Sequence, residues 1–228
     1  MKLSAYIVRV DSGFSPNPFG HHCTLACCKP TIRRKAEPGD LVVGSGSARY
    51  GLTGRLVYAM RVRGVITIQT YWDTATYEYK KPSPATPISR RGDNIWHQDA
   101  NGSWQVVAGA FHDTRHRKRD ISGENALIST DFYYFGRDAI PVPTAFASLL
   151  ATTQGHKNTD DEAVIESFWR WVSGQAPKPG RLGDPVEFTE EGCRTQCDDE
   201  DDEDALQLPD AHNFTVHRTG ARVARSGR

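Results

Sequence analysis

Between Asp11 and Ser47 the chain brings several kinds of chemically versatile side chain into 37 residues. The run from Asp11 to Gly20 reads Asp-Ser-Gly-Phe-Ser-Pro-Asn-Pro-Phe-Gly, a loop in composition. After it come His21, His22, Cys23, Cys27 and Cys28, then the cations Lys29, Arg33 and Arg34, then the Gly39-Asp40 turn. Loops of this make-up set polar groups against a ligand, and a strand beneath them holds them in place. The chemistry this suggests is the binding of an anionic, nucleotide-like ligand. Whether that ligand is altered stays open.

Three sets of residues would share the work. Lys29, Arg33 and Arg34 would hold phosphate, Arg by its rigid fork and Lys as a point charge. If residues 30–34 make a helical turn, Lys29 and Arg33 fall on one face, although the same residues would equally make a solvated basic face. The base would be met by Asn17 and Asn94, which present both a donor and an acceptor. Phe19, Tyr71, Trp72 or Trp96 would stack on it. Ser45, Gly46 and Ser47 would line the same hollow, because glycines admit a ligand close to the backbone and hydroxyls bind anions. Gly44-Ser-Gly-Ser47 is neither a phosphate-binding Walker loop nor a dinucleotide fingerprint, and it reads equally well as a plain loop. The expectation is that Asn17, Ser45, Ser47 and Asn94 converge on one concavity, with Lys29, Arg33 or Arg34 at its rim.

For catalysis the candidates are Asp11, Cys23, Asp93 and His97, with His21, His22 and His112 as other bases. A thiol beside a histidine in sequence is weak evidence, since the partners must meet in space. Asp40 reads better as a turn-stabilising side chain. His22, Cys23 and Cys27 have zinc-like spacing, and Cys193 with Cys197 would be a second pair. The two pairs are far apart, Cys27 and Cys28 suit small buried apolar positions, and no metal or other cofactor is expected.

These residues need elements to carry them. Leu3 to Val10 alternates as a strand, with Leu3, Ala5 and Ile7 on one face and Tyr6, Val8 and Val10 on the other. Leu41–Ser45 and Arg55–Val62 are further strands, and Val65–Ile68 extends the second after a break at Gly64, as a bulge. A helical turn is expected within Thr24–Arg34, and another within Gln69–Thr74, carrying Tyr71 and Trp72. Asn101-Gly102 marks a hairpin whose return is Trp104–Ala108. His112–Asp120 reads as a basic, exposed stretch. Ala126–Ser129 and Asp131–Phe135 are rich in strand formers, and Pro143–Ala151 is a short helix. Thr159-Asp-Asp-Glu162 reads as a capping box opening a helix over Asp160–Val172, with Val164, Ile165, Phe168, Trp169 and Val172 at helical spacing. Short strands with late helices predict an α+β fold, a twisted or barrel-like, mostly antiparallel sheet with the last helix packed on it.

The 228 residues allow one large domain or two small ones. The formal charge is zero, but unevenly spread: residues 174–228 hold 7 Lys and Arg against 12 Asp and Glu, leaving the body at +5 and the tail at −5. Such a body suits a nucleotide or nucleic-acid binder and excludes a histone-like one. The expected division is a domain over 1–173 and a disordered, acidic tail over 174–228. There is no apolar run long enough to span a membrane. Met1–Val10 lacks the apolar core of a signal peptide, so the cytoplasm, with reduced thiols, is the expected address.

The wording and order of these segments resemble the nucleotide modification associated domain 2 family. The residues that carry this are Asp11–Phe19, Cys23–Pro30, Ile32–Arg34 and Gly39–Ser47. Val57–Val62, Tyr71-Trp72, Gly92–Ile95, Phe132–Gly136 and Gly155-His156 add to it. The likeness covers roughly residues 3–173. It implies a link to modified bases in nucleic acid, chiefly in bacteria and their phages, and implies no particular reaction. More loosely, the Gly-Asp turn, the following strands and Tyr71-Trp72 resemble the PUA and EVE domains, small barrels that hold a flipped base in an aromatic cage. Three functions follow as expectations: recognition of a modified base or nucleotide in DNA or RNA within a modification or phage-defence system; an enzyme acting on such a nucleotide; or a docking domain whose acidic tail meets a protein partner.

Overall fold

The computed structural model describes residues 1–188. In chain order the strands are β1 (Leu3–Val8), β2 (Cys23–Leu25), β3 (Leu41–Gly46), β4 (Arg55–Arg61), β5 (Gly64–Thr67) and β6 (Trp96–Gln98). They continue with β7 (Trp104–Val106), β8 (Asn125–Ser129), β9 (Phe132–Tyr134), β10 (Ile140–Pro141), β11 (His156–Thr159) and β12 (Gly180–Arg181). The helices are α1 (Pro30–Lys35), α2 (Ile68–Asp73), α3 (Arg117–Ile121) and α4 (Glu162–Ser173). Seven strands form the main sheet in the order β11-β1-β3-β4-β9-β12, with β10 also paired to β4. A second sheet is β2-β8-β5, and β6 with β7 is a hairpin. Pairing is mostly antiparallel. The exceptions are β9 with β12 and, at the centre, β1 with β3, in register from Leu3 opposite Leu41 to Val8 opposite Gly46. The fold is α+β, and among the described residues none of the sheets closes into a barrel.

Strands buried on both faces read as near-continuous apolar runs, and β1 and β3 are such strands. Leu3, Ala5, Leu41 and Val43 pack with Ile165, Phe168, Trp169 and Val172 of α4. Tyr6, Val8 and Val42 belong to a different cluster with Cys23, Leu25, Ile32, Tyr58 and Met60. The cap of α4 is Asp161, whose side chain accepts the Val164 N–H at 3.2 Å. Thr159, expected as the cap, instead ends β11. A bidentate Arg61–Glu166 pair at 3.0 and 3.2 Å adds to the seam between α4 and the sheet.

Past Gly174 the chain does not leave the domain at once. Gly180–Arg181 pairs with β9, and Val186 and Glu187 donate backbone N–H groups to Asp11. Beyond the boundary expected at 173, the backbone groups of 180–187 thus find partners in the body. The acidic run from Asp198, with Cys193 and Cys197, lies outside the described residues.

Candidate functional site

Because β1 and β3 are parallel neighbours, both release their chains at the same end of the sheet. Crevices outside the carboxyl ends of such strands are habitual ligand sites. Here one of about 270 Å³ opens, bordered by Tyr6, Phe14, Cys28, Lys29, Ser47 and Gln154. Its floor is apolar and its wall carries a cation. Lys29 Nζ lies 5.3 Å from the centre of the Tyr6 ring. The Tyr6 hydroxyl shares a hydrogen bond of 2.8 Å with Tyr58, and burial pushes the phenol well above its ordinary range, so it stays neutral.

Cys28 and Lys29 both have left-handed backbones, at φ 56° and 41°. Two successive non-glycine residues in that region are costly and persist only where the surroundings fix them. Asp120 does this on one side: its Oδ1 accepts the Cys28 N–H at 3.0 Å. Arg33 adds to it, donating to the Cys28 carbonyl at 2.7 Å.

Behind Cys28 stands a relay. Asp113 caps the turn Thr114–His116, which runs into α3 and so brings His112 back to Asp120. His112 Nδ1 lies 2.6 Å from Asp120 Oδ2, which also accepts from Trp96 Nε1 at 3.0 Å. An ionised carboxylate only accepts, so Nδ1 carries the proton. His112 Nε2 then faces Cys28 Sγ at 3.8 Å and accepts from the Arg119 guanidinium at 3.3 Å. Burial opposes the charge on Asp120. The hydrogen bond from His112 and the nearby charges of Arg33 and Arg119 nonetheless hold its carboxyl well below the usual range. Phe14 stands edge-on to the His112 ring at 4.7 Å, and His116 stacks on it at 4.2 Å.

The three described cysteines are free thiols and differ in access. Burial pushes Cys23 up to about 12 and Cys27 well above its ordinary range. Cys28, half-buried, is the one that borders the crevice. Among the described residues the one group of metal-type ligand atoms within 4.8 Å of one another is Cys27, His112 and Asp120. Asp120 already accepts from Cys28, His112 and Trp96, and burial disfavours the Cys27 thiolate a cation would need. The donor set suits a hydrogen-bonded relay better than a metal.

The residues expected at the site are mostly elsewhere. Only Lys29 and Ser47 border the crevice, and Ser47 also caps the turn Ala48–Tyr50. Arg33 is fully buried, its guanidinium lying over Gly123 and donating to the carbonyls of Cys28, Asn125 and Asp120 at 2.5–2.7 Å. It is an internal brace and cannot also reach phosphate. Arg34 reaches the Ser122 carbonyl at 3.0 Å. Gly44 and Gly46 make room for protein, not ligand: a Cβ at 44 would meet the Tyr58 ring at 2.4 Å, and one at 46 the Leu52 carbonyl at 2.3 Å. Ser45 is buried, donating towards the carbonyls of Tyr6 and Ala151 at 3.2 Å.

Asn17, Tyr71, Asp93 and Asn94 form a second buried cluster. Asp93 accepts Thr24 Oγ1 at 2.7 Å and the Tyr71 hydroxyl at 2.9 Å. Lys80 Nζ donates to Asn17 Oδ1 at 2.7 Å and to the His22 carbonyl at 2.8 Å. Asn17, Ser45, Ser47 and Asn94 thus do not converge, because two of them belong to this sealed cluster. Phe19 packs against Phe188 at 5.5 Å. Trp96 is buried over Asp120, while Trp72 stacks on His97 at 4.2 Å beside the hairpin. Cys23 lies in the core with no expected histidine beside it, and His22 Nδ1 pairs with the Tyr79 hydroxyl at 2.8 Å. Asp11 is a fastener: it accepts the Tyr134 hydroxyl and the Val186 N–H, and burial raises its carboxyl to about 6.

Composition hid the relay. Arg115, Arg117, Lys118 and Arg119 make His112–Asp120 look exposed, yet His112 and Asp120 are buried. The available signal was the pair of apolar residues just outside the run, Phe111 and Ile121, which pack on a core of Phe14, Cys27 and Trp96.

Comparison with protein families matches residues 1–192 to nucleotide modification associated domain 2, and the chain belongs to that family. No curated protein and no solved structure matches it. Among the described residues no helix is long and apolar enough to cross a membrane.

Proposed function

We propose that in this member of the nucleotide modification associated domain 2 family the crevice at the ends of β1 and β3 receives a nucleotide or the modified base of one. The observation that carries the reading is the crevice itself, a hollow of about 270 Å³ with Lys29 on its wall over an aromatic floor. That is near the lower end of small-molecule sites, which run from roughly 300 to 1,000 Å³, and it suits one base with its sugar better than a duplex. Lys29 meets the phosphate as a point charge. The edges of Tyr6 and Phe14 give the base an apolar seat, and the Ser47 hydroxyl offers a polar contact. The family association with nucleotide modification agrees with this occupant and does not name the base.

Titration with the four deoxynucleoside monophosphates, in a series of salt concentrations, tests the reading. Binding should be measurable for at least one of them. Lys29→Ala should weaken it several-fold and flatten the salt dependence by about one charge, with the fold intact. Equal binding by wild type and Lys29→Ala at every salt concentration would remove the crevice from the argument.

A further inference from the structure

We propose that Cys28 is a nucleophile, with His112 as its general base and Asp120 as the positioning carboxylate, and that it attacks an acyl carbon carried by the ligand of this crevice. The proposal rests on the crevice being the binding site. It goes beyond that reading by giving the site a reaction and a substrate class: a nucleotide or base bearing an amide or ester.

Three observations meet here. A nucleophile needs a base within reach and a third group to orient the base. Cys28 Sγ, His112 Nε2, His112 Nδ1 and Asp120 Oδ2 stand in that order at 3.8 and 2.6 Å. The hydrogen bonds leave Nε2 as the accepting nitrogen, with the Arg119 N–H at 3.3 Å and the Cys28 thiol at 3.8 Å competing for its one lone pair, so His112 takes the thiol proton as Arg119 gives way. The thiol also opens on the crevice, while Cys23 and Cys27 are sealed in cores. The 3.8 Å gap is longer than a working proton-transfer distance, as is common before substrate arrives. The charged and titratable groups facing the relay are Arg119, His116 and its partner Asp113 from its own segment, Arg33 from α1, Tyr6 from β1, and Cys27 beside Cys28. Lys29 adds a further cation on the crevice wall.

The chemistry balances without an outside oxidant or metal. The Cys28 S–H proton passes to His112 Nε2 as sulfur bonds to the acyl carbon. The carbonyl π electrons move onto oxygen, then return as the C–N or C–O bond to the leaving group breaks. That group departs with the proton from His112, leaving a thioester on Cys28. Water, deprotonated by His112, attacks the thioester. The C–S bond breaks, the acid leaves, and the thiol takes back its proton.

The test uses the full chain, with iodoacetamide and 4-nitrophenyl acetate as probes. Alkylation sites are mapped by mass spectrometry across a pH series. In the wild type Cys28 should react about tenfold faster at neutral pH than a simple peptide thiol, with its profile shifted to lower pH. Cys23 and Cys27 should stay unlabelled. 4-Nitrophenyl acetate should give a burst and an acyl adduct on Cys28, absent in Cys28→Ser. Asp120→Asn should return the alkylation profile of Cys28 to that of a simple thiol, an effect that loss of packing alone would not produce. His112→Gln and Asp120→Asn remove buried partners and could fail to fold. The wild-type profile and Cys28→Ser carry the test in that event. An ordinary rate and profile for Cys28, or an acyl adduct elsewhere, would overturn the proposal. Nucleotide titration of Cys28→Ser separates the two readings. If nucleotides bind and Cys28 is ordinary, the crevice stands without the chemistry. If Cys28 is activated and no nucleotide binds, the relay stands and the occupant is wrong.

Discussion

Two buried polar clusters in this domain have the same parts and opposite surroundings. One centres on Asp120, with Arg33, Trp96 and His112. The other centres on Asp93, with Lys80, Tyr71 and Thr24. Each carboxylate is buried, takes hydrogen bonds from aromatic side chains and lies near a cation. In the Asp93 cluster every donor of the network ends on a protein acceptor, and its loose end, Asn94 Oδ1, does not border the crevice. In the Asp120 cluster the chain of contacts runs out through His112 to a half-exposed thiol. Burial and shifted carboxylates mark both, so neither feature identifies a site. Access does, together with a reactive atom at the end of the chain.

The largest effect is expected in the sealed cluster. Asp93→Ala leaves Lys80 buried without its counter-charge and two hydroxyls, from Thr24 and Tyr71, without their acceptor. Leaving two buried hydroxyls without their acceptor costs on the order of 1–3 kcal/mol each. Chemical denaturation should show a loss of that size, while nucleotide affinity, measured where the variant is folded, should not move. A loss below about 1 kcal/mol, or a loss of affinity in the folded variant, would break the contrast.

A third buried acid, Asp11, sharpens the contrast through pH. Burial raises its carboxyl from 3.8 to about 6, against the hydrogen bonds from Tyr134 and Val186. The folded state therefore binds the proton more tightly than the unfolded chain. Its contribution is fully present below about pH 4 and is lost as pH rises through 6. A shift of about two units corresponds to roughly 3 kcal/mol, to order of magnitude. Relative to Asp11→Asn, which cannot titrate, the wild type should lose that much stability between pH 4 and pH 7. Parallel stability curves for the two proteins would show that Asp11 is solvated and that 186–187 is not fastened by it.

What could be read from the sequence, and what could not, follows the same division. β1, β3, β4 and α4 are legible because their apolar pattern is local and the main sheet needs all of it buried. The hairpin is legible because Asn101-Gly102 is turn chemistry. Lys29 and Ser47 are legible as residues bordering the crevice because they stand where strands or loops end. Asn17, Asn94 and Arg33 mislead for one reason: polar side chains in glycine-rich loops look available, while these are occupied by backbone carbonyls or by Lys80. The relay joins residues 28, 112 and 120 across more than eighty positions. No periodicity encodes such a contact, and the basic residues around His112 and Asp120 mask their burial.

The smallest expected effect belongs to the hairpin, where Trp72 offers the only rival seat for a base that the aromatic pattern suggested and the described surface retains. Its ring stacks on His97 at 4.2 Å and nearly parallel, and Lys81 Nζ stands 4.0 Å from its centre. A ring engaged by an imidazole and an ammonium has little open face left for a base. Trp72→Ala should therefore cost about 1 kcal/mol of stability from the lost stacking and cation contact. It should leave nucleotide affinity within about a factor of two, since base–aromatic stacking, where it exists, contributes roughly 1–3 kcal/mol. Paired titrations of Trp72→Ala and Lys29→Ala decide the matter. If the tryptophan variant loses affinity tenfold and the lysine variant does not, the nucleotide sits at the hairpin, and the crevice beside Cys28 must have a different occupant.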